Sequence, residues 1–413
     1  MDSLDFFQPY SRVRGFNYTP SSAVNDIAFW RDYDEAQVER ELAYAQRLGL
    51  NSARVFLAYV VYEREPRAFV SRVKHFVSAA HARGISTMPV VWDSCFDETR
   101  PDYASTENKW IPNPGVQRLG SDFWPAGERY CQDLAQMLGP EPGLLLWDVM
   151  NEPTVTSWLD APAPLRNRRL QTLWTFARHF CAYLKQLDPT HPVTVGVARA
   201  QELYDIGDDV DVLSWHNYSP TRGGVYDSIA QAMQAAVRFH KPAFLSEVGC
   251  IARANPYDMT LQICQEMGVG WYLWELMIGA SCWRDIHGVT YPDGSVRDPG
   301  VVAAIRGFFR KRTGDAVPAA IDKEGAATRA LADARRWLAS PDADVADGLR
   351  IAEILANLLE AGQLAPMADP PSTRLLALCR ADSVDRAALQ TLVEAWVGAA
   401  ERAIASKYPC ISV

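Results

Sequence analysis

Short apolar runs alternate with longer amphipathic ones along most of the chain. The runs at 13–18, 51–57, 85–92, 144–150, 192–197, 210–216, 242–248 and 269–275 are apolar and rich in β-branched or aromatic residues, and they predict strands. Between most of them apolar residues recur at helical spacing, which predicts helices over 34–48, 66–83, 123–138, 165–187, 225–239, 257–267 and 299–312. Asp34 suits the N-cap of the first, and Gly49 and Gly84 suit helix C-termini. Eight strands alternating with helices over about 310 residues is the count of a (β/α)8 barrel, so an α/β barrel of the TIM type is expected. A doubly wound open sheet shares the alternation. No Gly-x-Gly-x-x-Gly follows the first strand, however, which removes the usual nucleotide-binding reason for that fold. The segments 93–122 and 276–298, after strands three and eight, are long, and long loops at that end of a barrel shape substrate clefts.

The alternation stops at Thr313-Gly-Asp-Ala-Val-Pro318. Beyond it the chain is rich in Ala and Leu, and helices are predicted at 322–339, 344–361, 372–380 and 384–405. Leu331, Trp337, Leu338, Leu349, Ile354, Leu355, Leu358, Leu389, Leu392 and Trp396 supply their apolar faces. Two domains are expected: residues 1–313 as the barrel and 314–413 as an all-helical module. That module either packs on the barrel or serves as a self-association or partner surface.

Composition narrows the class. The 413 residues are 48% hydrophobic and 22% charged, enough for one large domain and a small one. The net charge of −9 and the lack of any Lys/Arg block argue against a nucleic-acid partner. No run approaches about 18 apolar residues, so no membrane span is expected. The first residues lack the basic and apolar regions of a secretory leader, so the expected location is cytoplasmic, or extracellular if a leader has been removed. The eight cysteines are scattered without a Cys-x-x-Cys pair and are expected to be free, buried thiols. Cys95, Cys250 and Cys282 follow strand-like segments and could line a cleft, but nothing in the sequence supports a catalytic thiol.

The candidate chemistry lies at predicted strand ends. The run Gly143-Leu-Leu-Leu-Trp-Asp-Val-Met stops on Asn151, Glu152 and Pro153, and Pro153 cannot continue the ladder. Strand seven ends likewise on Ser246-Glu247. Tips of strands four and seven face one another across a barrel mouth, which places two carboxylates over one gap. A separation of about 5–5.5 Å suits glycoside hydrolysis with retention, and about 6.5–9.5 Å suits inversion. The plainer alternative is that each Glu caps a strand or pairs with an Arg. Arg54, on strand two, stays charged and needs a carboxylate inside a barrel. Glu247 would be that partner, although a structural ion pair elsewhere is the alternative. His216 and Tyr218 are two apart on strand six and so share a face. Trp274 ends strand eight and, with Trp271, offers a stacking face or simply core. Trp92 with Asp93, and Trp110, Trp124 and Trp283, are further candidates for cleft walls. Glu98 and Glu275 are extra acids near predicted tips. Of the seven His only His216 sits at a strand end, so no metal site is expected. No Lys lies at a strand tip for a Schiff base, and no phosphate or flavin motif occurs, so no cofactor is expected.

These tips together resemble glycoside hydrolase clan A, and family 5 (cellulases and mannanases) in particular, over residues 13–312. Asn151-Glu152-Pro153 is similar to the strand-four Asn-Glu-Pro signature, and Glu247 in Ser-Glu-Val-Gly to the strand-seven nucleophile. Arg54, His216 with Tyr218, and Trp274 match the family's strand-two, strand-six and strand-eight residues. The resemblance implies that Glu152 is the acid/base, Glu247 the nucleophile and Asn151 the holder of the sugar 2-hydroxyl, with Arg54, His216, Tyr218 and Trp274 around the substrate; Trp92 and Asp93 are substrate-contact candidates from their position alone, Asp93 either binding hydroxyls or simply solvated. It also implies a cis peptide after Trp274. One departure concerns strand three, where many members place a His and this chain has Val91-Trp92-Asp93-Ser94-Cys95. The sugar therefore stays open.

The expected function is hydrolysis of β-linked hexosides by double displacement, on a carbohydrate substrate and without cofactor, with exo or short-chain action favoured. A secreted-type endo-β-1,4-glucanase or endo-β-mannanase is the alternative. A non-catalytic carbohydrate-binding barrel is the alternative from another class, which the two intact glutamates argue against.

Overall fold

Eight parallel strands pair in chain order and close on themselves, with β8 returning to β1. They are β1 (Arg14–Tyr18), β2 (Ser52–Phe56), β3 (Ser86–Asp93), β4 (Trp147–Asn151), β5 (Val193–Val197), β6 (Leu213–Asn217), β7 (Ala243–Val248) and β8 (Trp271–Leu273). This computed structural model describes residues 3–309, 322–360, 371–379 and 384–407. The expected (β/α)8 barrel is the fold, and the β1–β8 pairing rules out an open sheet. The first long helix, Glu35–Leu48, begins where Asp34 accepts from the Gln37 amide and ends at Gly49, whose φ of 86° few other residues tolerate. The helices Asp26–Arg31 and Tyr59–Arg64 have no counterpart in the predicted set, because six residues are too few to establish a period.

The inner face explains where the site lies. On β2, Ser52, Arg54 and Phe56 are two apart and share a face. Ser52 bonds Tyr272 at 2.7 Å, within a floor of Met88, Leu146, Val212, Phe244 and Tyr272. Phe56 packs with Val90 and Trp274 at the mouth. Arg54 therefore lies between an apolar floor and an aromatic mouth.

Strict alternation breaks on three strands. Val90 and Asp93 of β3 both reach inward contacts, as do Asp148 and Asn151 of β4 and Phe244 and Glu247 of β7. Each pair is an odd step apart, which a regular pleat cannot place on one face. The ladders shift register between Asp148 and Asn151 and between Leu245 and Val248, and such irregularities re-aim side chains. This overturns one expectation. Counting by two from Met88 and Val90 turns Trp92 into the cleft. Instead it points outward, is 0% exposed, and packs on Tyr59, Phe123, Tyr130, Phe176 and Phe180. Trp92 is a core residue, not a substrate contact. Trp124, stacked on His179, and the buried Trp271 are likewise packing residues.

The described chain divides into two compact units, one of residues 1–220 and 225–309 and one of 221–224 and 310–413. The predicted boundary near Thr313, and the break through Pro318, lie outside the described residues. The second unit contains helices Asp322–Ala339, Val345–Glu360, Pro371–Cys379 and Arg386–Lys407. Leu331, Trp337, Leu355, Leu389, Val393 and Trp396 lie in its own core, whereas Ile354 is exposed. The side chains of Leu358, Cys379 and Cys410 lie outside the described residues. The six described cysteines are free. No helix among the described residues is long and apolar enough to cross a membrane.

Trp92→Ala is expected to lower the unfolding free energy by about 3–5 kcal/mol through the cavity it leaves, without a change in KM. Chemical denaturation and steady-state kinetics check both. A raised KM at undiminished stability would return Trp92 to the cleft.

Candidate active site

Arg54 sits at the centre of the mouth with no solvent exposure, so every donor of its guanidinium needs a protein partner. Nε donates to Asp148 Oδ2 at 2.8 Å, and Nη2 to Asn151 Oδ1 at 2.7 Å. Nη1 donates to Glu247 Oε1 at 2.5 Å and to Asn17 Oδ1 at 2.9 Å. Burial works against its charge, but Asp148 and Glu247 more than offset this and raise its pKa. The Phe56 ring lies 4.8 Å from the guanidinium carbon. Asn17 also donates to the carbonyls of Ser246 and Leu273, each at 3.1 Å, which ties β1 to β7 and β8 beneath the site.

The two glutamates have different surroundings. Glu247 accepts from Arg54 through Oε1 and from Tyr218 Oη, at 2.7 Å, through Oε2. Glu152 has Oε1 2.6 Å from His216 Nδ1 and Oε2 3.5 Å from the Cys95 thiol. Burial raises both carboxyl pKa values. The charge of His216, when it is protonated, and of Arg54, with the Tyr218 hydroxyl, opposes that rise on Glu247, while the thiol and more distant arginines oppose it on Glu152. An ionised Glu247 beside a protonated Glu152 is the state these donors favour. Burial drives His216 down to about 4, so its imidazole is neutral and its contact with Glu152 is a hydrogen bond rather than an ion pair. Its Nε2 has no hydrogen-bond partner among the described residues, which puts the ring proton on Nδ1, 2.6 Å from Glu152 Oε1 and 3.3 Å from Glu247 Oε2.

One oxygen from each glutamate and a His216 nitrogen all lie within 4.8 Å of one another. This spacing could also admit a metal ion, but a cation would compete with Arg54 and Tyr218 for a carboxylate whose two oxygens are already bonded. For two carboxylates, the short gap is the geometry of covalent double displacement rather than of a water held between them.

Local backbone delivers these groups. Asn151 and Glu152 are consecutive, and Glu152 adopts φ of 38°, a left-handed conformation uncommon outside glycine, which lets both side chains reach the mouth. Its amide donates to the Gly196 carbonyl at 2.7 Å. The Trp274–Glu275 peptide is cis, as expected. Trp274 packs with Phe56 and Val90, and Tyr218, Trp110 and Trp283 lie against that cluster. The long loops after β3 and β8 meet here: Phe96 lies 5.6 Å and Trp110 6.1 Å from Trp283, ring centre to ring centre.

Asp93 does not stand where a substrate ligand was expected. Its carboxylate accepts from the Cys95 amide at 3.0 Å, Trp110 Nε1 at 2.6 Å and Asn151 Nδ2 at 3.3 Å, and burial pushes it up to about 6. It holds Asn151 and Trp110 from behind. Glu98 is exposed, and Glu275 is buried and pushed up to about 8 by that burial. Asn17, Asp148 and Gly196 were not singled out as site residues, and Cys95 was named only as a thiol that could line a cleft. Asp148 was the most readable of them, since a carboxylate inside the run Leu-Leu-Leu-Trp-Asp-Val-Met implies a buried cation.

A closed parallel barrel with two facing glutamates, one held by arginine and tyrosine, is the arrangement by which retaining glycoside hydrolases of clan A work. Residues 14–279 match the model of the cellulase family, glycosyl hydrolase family 5. The chain belongs to that family. No curated protein matches it. Among solved structures, the fold is similar to an exo-β-1,4-mannosidase from Opitutaceae bacterium strain TAV5, with 20% identity, a TM-score of 0.55, and coverage of 71% of this chain and 58% of that one. The matched part thus spans less than two thirds of that mannosidase. A GH5_18 protein from Bifidobacterium longum subsp. infantis is similar at 18% identity and TM-score 0.53, covering 73% of this chain and 79% of its own. An endo-1,4-β-mannanase from Rhizomucor miehei is similar at 15% identity and TM-score 0.51, covering 70% and 91%.

A Cβ on Gly196 would lie 2.9 Å from Arg54 Nη2, 3.0 Å from Asp148 Oδ2 and 3.1 Å from His216 Nε2. Gly196→Ala is therefore expected to displace the charge cluster and lower kcat/KM by roughly 10- to 100-fold. Wild-type kinetics in that variant would show that the cluster tolerates displacement.

Proposed function

We propose that the chain is a retaining β-glycosidase acting on β-linked hexosides, with Glu247 as nucleophile and Glu152 as acid/base. The observation that carries this reading is the asymmetric environment of two carboxylates that lie close together. Glu247, bonded to Arg54 and Tyr218, is held ionised and aimed. It attacks the anomeric carbon while Glu152 gives its proton to the departing oxygen. The glycosyl ester formed on Glu247 carries no charge, so the repulsion that helped keep Glu152 protonated disappears. Glu152 then accepts a proton from water, which attacks the anomeric carbon, breaks its bond to Glu247 and releases the sugar with net retention and Glu247 as a carboxylate. Tyr218 loses its charged acceptor in the intermediate and is free to turn toward the ring oxygen. Trp274 supplies the face on which the sugar stacks, and Asn151, oriented by Asp93 and Arg54, lies within reach of the 2-hydroxyl position.

Exo or short-chain action is supported by the aromatic wall that Phe96, Trp110, Trp274 and Trp283 raise on one side of the mouth. A wall there shortens a groove to a pocket. β-Mannosides are the first substrates to try, because similar folds include an exo-mannosidase and an endo-mannanase.

Three outcomes are expected. Glu247→Ala abolishes hydrolysis of aryl β-glycosides, and added azide restores turnover as a glycosyl azide of inverted configuration. Undiminished activity in that variant would displace Glu247 as nucleophile. Glu152→Gln slows substrates with poor leaving groups by about 10²–10⁴-fold but spares glycosylation by activated aryl leaving groups, which need no proton. A plot of kcat/KM against pH is a bell, because activity falls as Glu247 gains a proton at low pH and as Glu152 loses one at high pH. Product analysis decides the mode of action: free hexose appearing first from oligosaccharides supports exo cleavage, and internal fragments support endo cleavage.

A further inference from the structure

Cys95 follows β3 and is completely buried. Its amide donates to Asp93 Oδ1 at 3.0 Å, and its sulfur accepts from Asn151 Nδ2 at 3.1 Å. Besides the Asp93 carboxylate, which also acts on the thiol, two acceptors of Glu152 lie within reach of the thiol hydrogen. Oε2 is 3.5 Å from the sulfur and the main-chain oxygen is 3.8 Å from it. The other carboxyl oxygen, Oε1, belongs to His216.

We propose that Cys95 is a positioning residue for Glu152, whose thiol hydrogen turns between the carboxyl Oε2 and the main-chain oxygen as Glu152 loses and regains its proton. This rests on Glu152 being the acid/base. When Glu152 is ionised, Oε2 is the stronger acceptor and takes the S–H bond. When Glu152 is protonated, its hydrogen sits on Oε2 and points to the departing oxygen, and the thiol turns to the carbonyl. Only a rotation about Cβ–Sγ is needed, and Asn151 and Asp93 hold the sulfur and the backbone still. The proton stays on sulfur throughout, since burial raises the thiol pKa well above its usual value.

The surrounding charges do not duplicate this contact. His216 and Glu247 face Glu152 from β6 and β7, and Arg54 from β2. Arg199 and Glu202 lie after β5 and Arg253 after β7, acting only at a distance, while Asp93 acts through Cys95 and Asn151. Among the described residues, the thiol is the hydrogen-bond donor to Oε2. Removing it withdraws support from the ionised form, so Glu152 should keep its proton to higher pH.

The test compares wild type, Cys95→Ala and Cys95→Ser. In Cys95→Ala the basic limb of kcat/KM is expected to move up by about 0.5–1 pH unit, with the acidic limb in place, and Cys95→Ser is expected to return it toward wild type. The S–H stretching band assigned to Cys95, isolated as the infrared difference between wild type and Cys95→Ser, is expected to shift to lower frequency as Glu152 ionises. A basic limb unchanged in Cys95→Ala, or a band that ignores pH, would overturn the proposal. The band is read without substrate. If it titrates while the wild-type protein cleaves no β-glycoside, the functional reading fails and the thiol contact stands.

Discussion

The site depends on one buried guanidinium. Arg54 cannot shed its proton, and inside the barrel it has no water to share its charge. Asp148, Glu247, Asn151 and Asn17 are fixed around it because each answers one of its donors. Removing one partner would leave a charge or a donor unmatched in a dry interior, which is far more costly than breaking a surface ion pair. The cluster therefore orients its members as well as neutralising them. Asn151 cannot flip its amide while Arg54 holds its oxygen and Asp93 its nitrogen, and Glu247 cannot rotate away from Arg54 and Tyr218.

That constraint separates the two glutamates chemically. They are equivalent in sequence terms, each a carboxylate at a strand tip. Charged and phenolic donors favour the ionised form of Glu247, whereas a neutral imidazole and a thiol surround Glu152. The backbone makes this placement possible. Register shifts on β4 and β7 and the left-handed Glu152 gather more polar side chains at the mouth than alternation alone would deliver. Gly196 completes it by leaving the space that Arg54, Asp148 and His216 fill.

The barrel was legible in the sequence because parallel strands buried on both faces read as apolar runs, and eight of them were separated by helical periods. Asn151, Glu152, His216, Tyr218, Glu247 and Trp274 were legible because polar or aromatic residues at the ends of such runs have no packing reason to be there, and Arg54 because a permanent charge inside an apolar strand needs a buried carboxylate. Trp92 and Asp93 were misread for a specific reason. The break in alternation between Val90 and Asp93 is invisible to a period of two, which hides that Trp92 turns outward to the helices and Asp93 turns in behind Asn151 rather than toward a sugar. Asn17 and Gly196 escaped notice because their importance is set by contacts across the barrel, from β1 to β7 and β8 and from β5 to β2, β4 and β6. Cys95 was legible only as a thiol that could line the cleft. Its meaning comes from the distance to Glu152, which no local pattern encodes.

The division of labour between the glutamates is tested most directly by trapping the covalent intermediate. A 2-deoxy-2-fluoro β-glycoside with an activated leaving group slows both steps, and the good leaving group restores the first, so the glycosyl-enzyme accumulates. Peptide mass spectrometry of the inactivated protein is expected to find one glycosyl group, on the peptide containing Glu247. A label on Glu152, or turnover to a product of inverted configuration with no label at all, would contradict the assignment of Glu247 as the nucleophile.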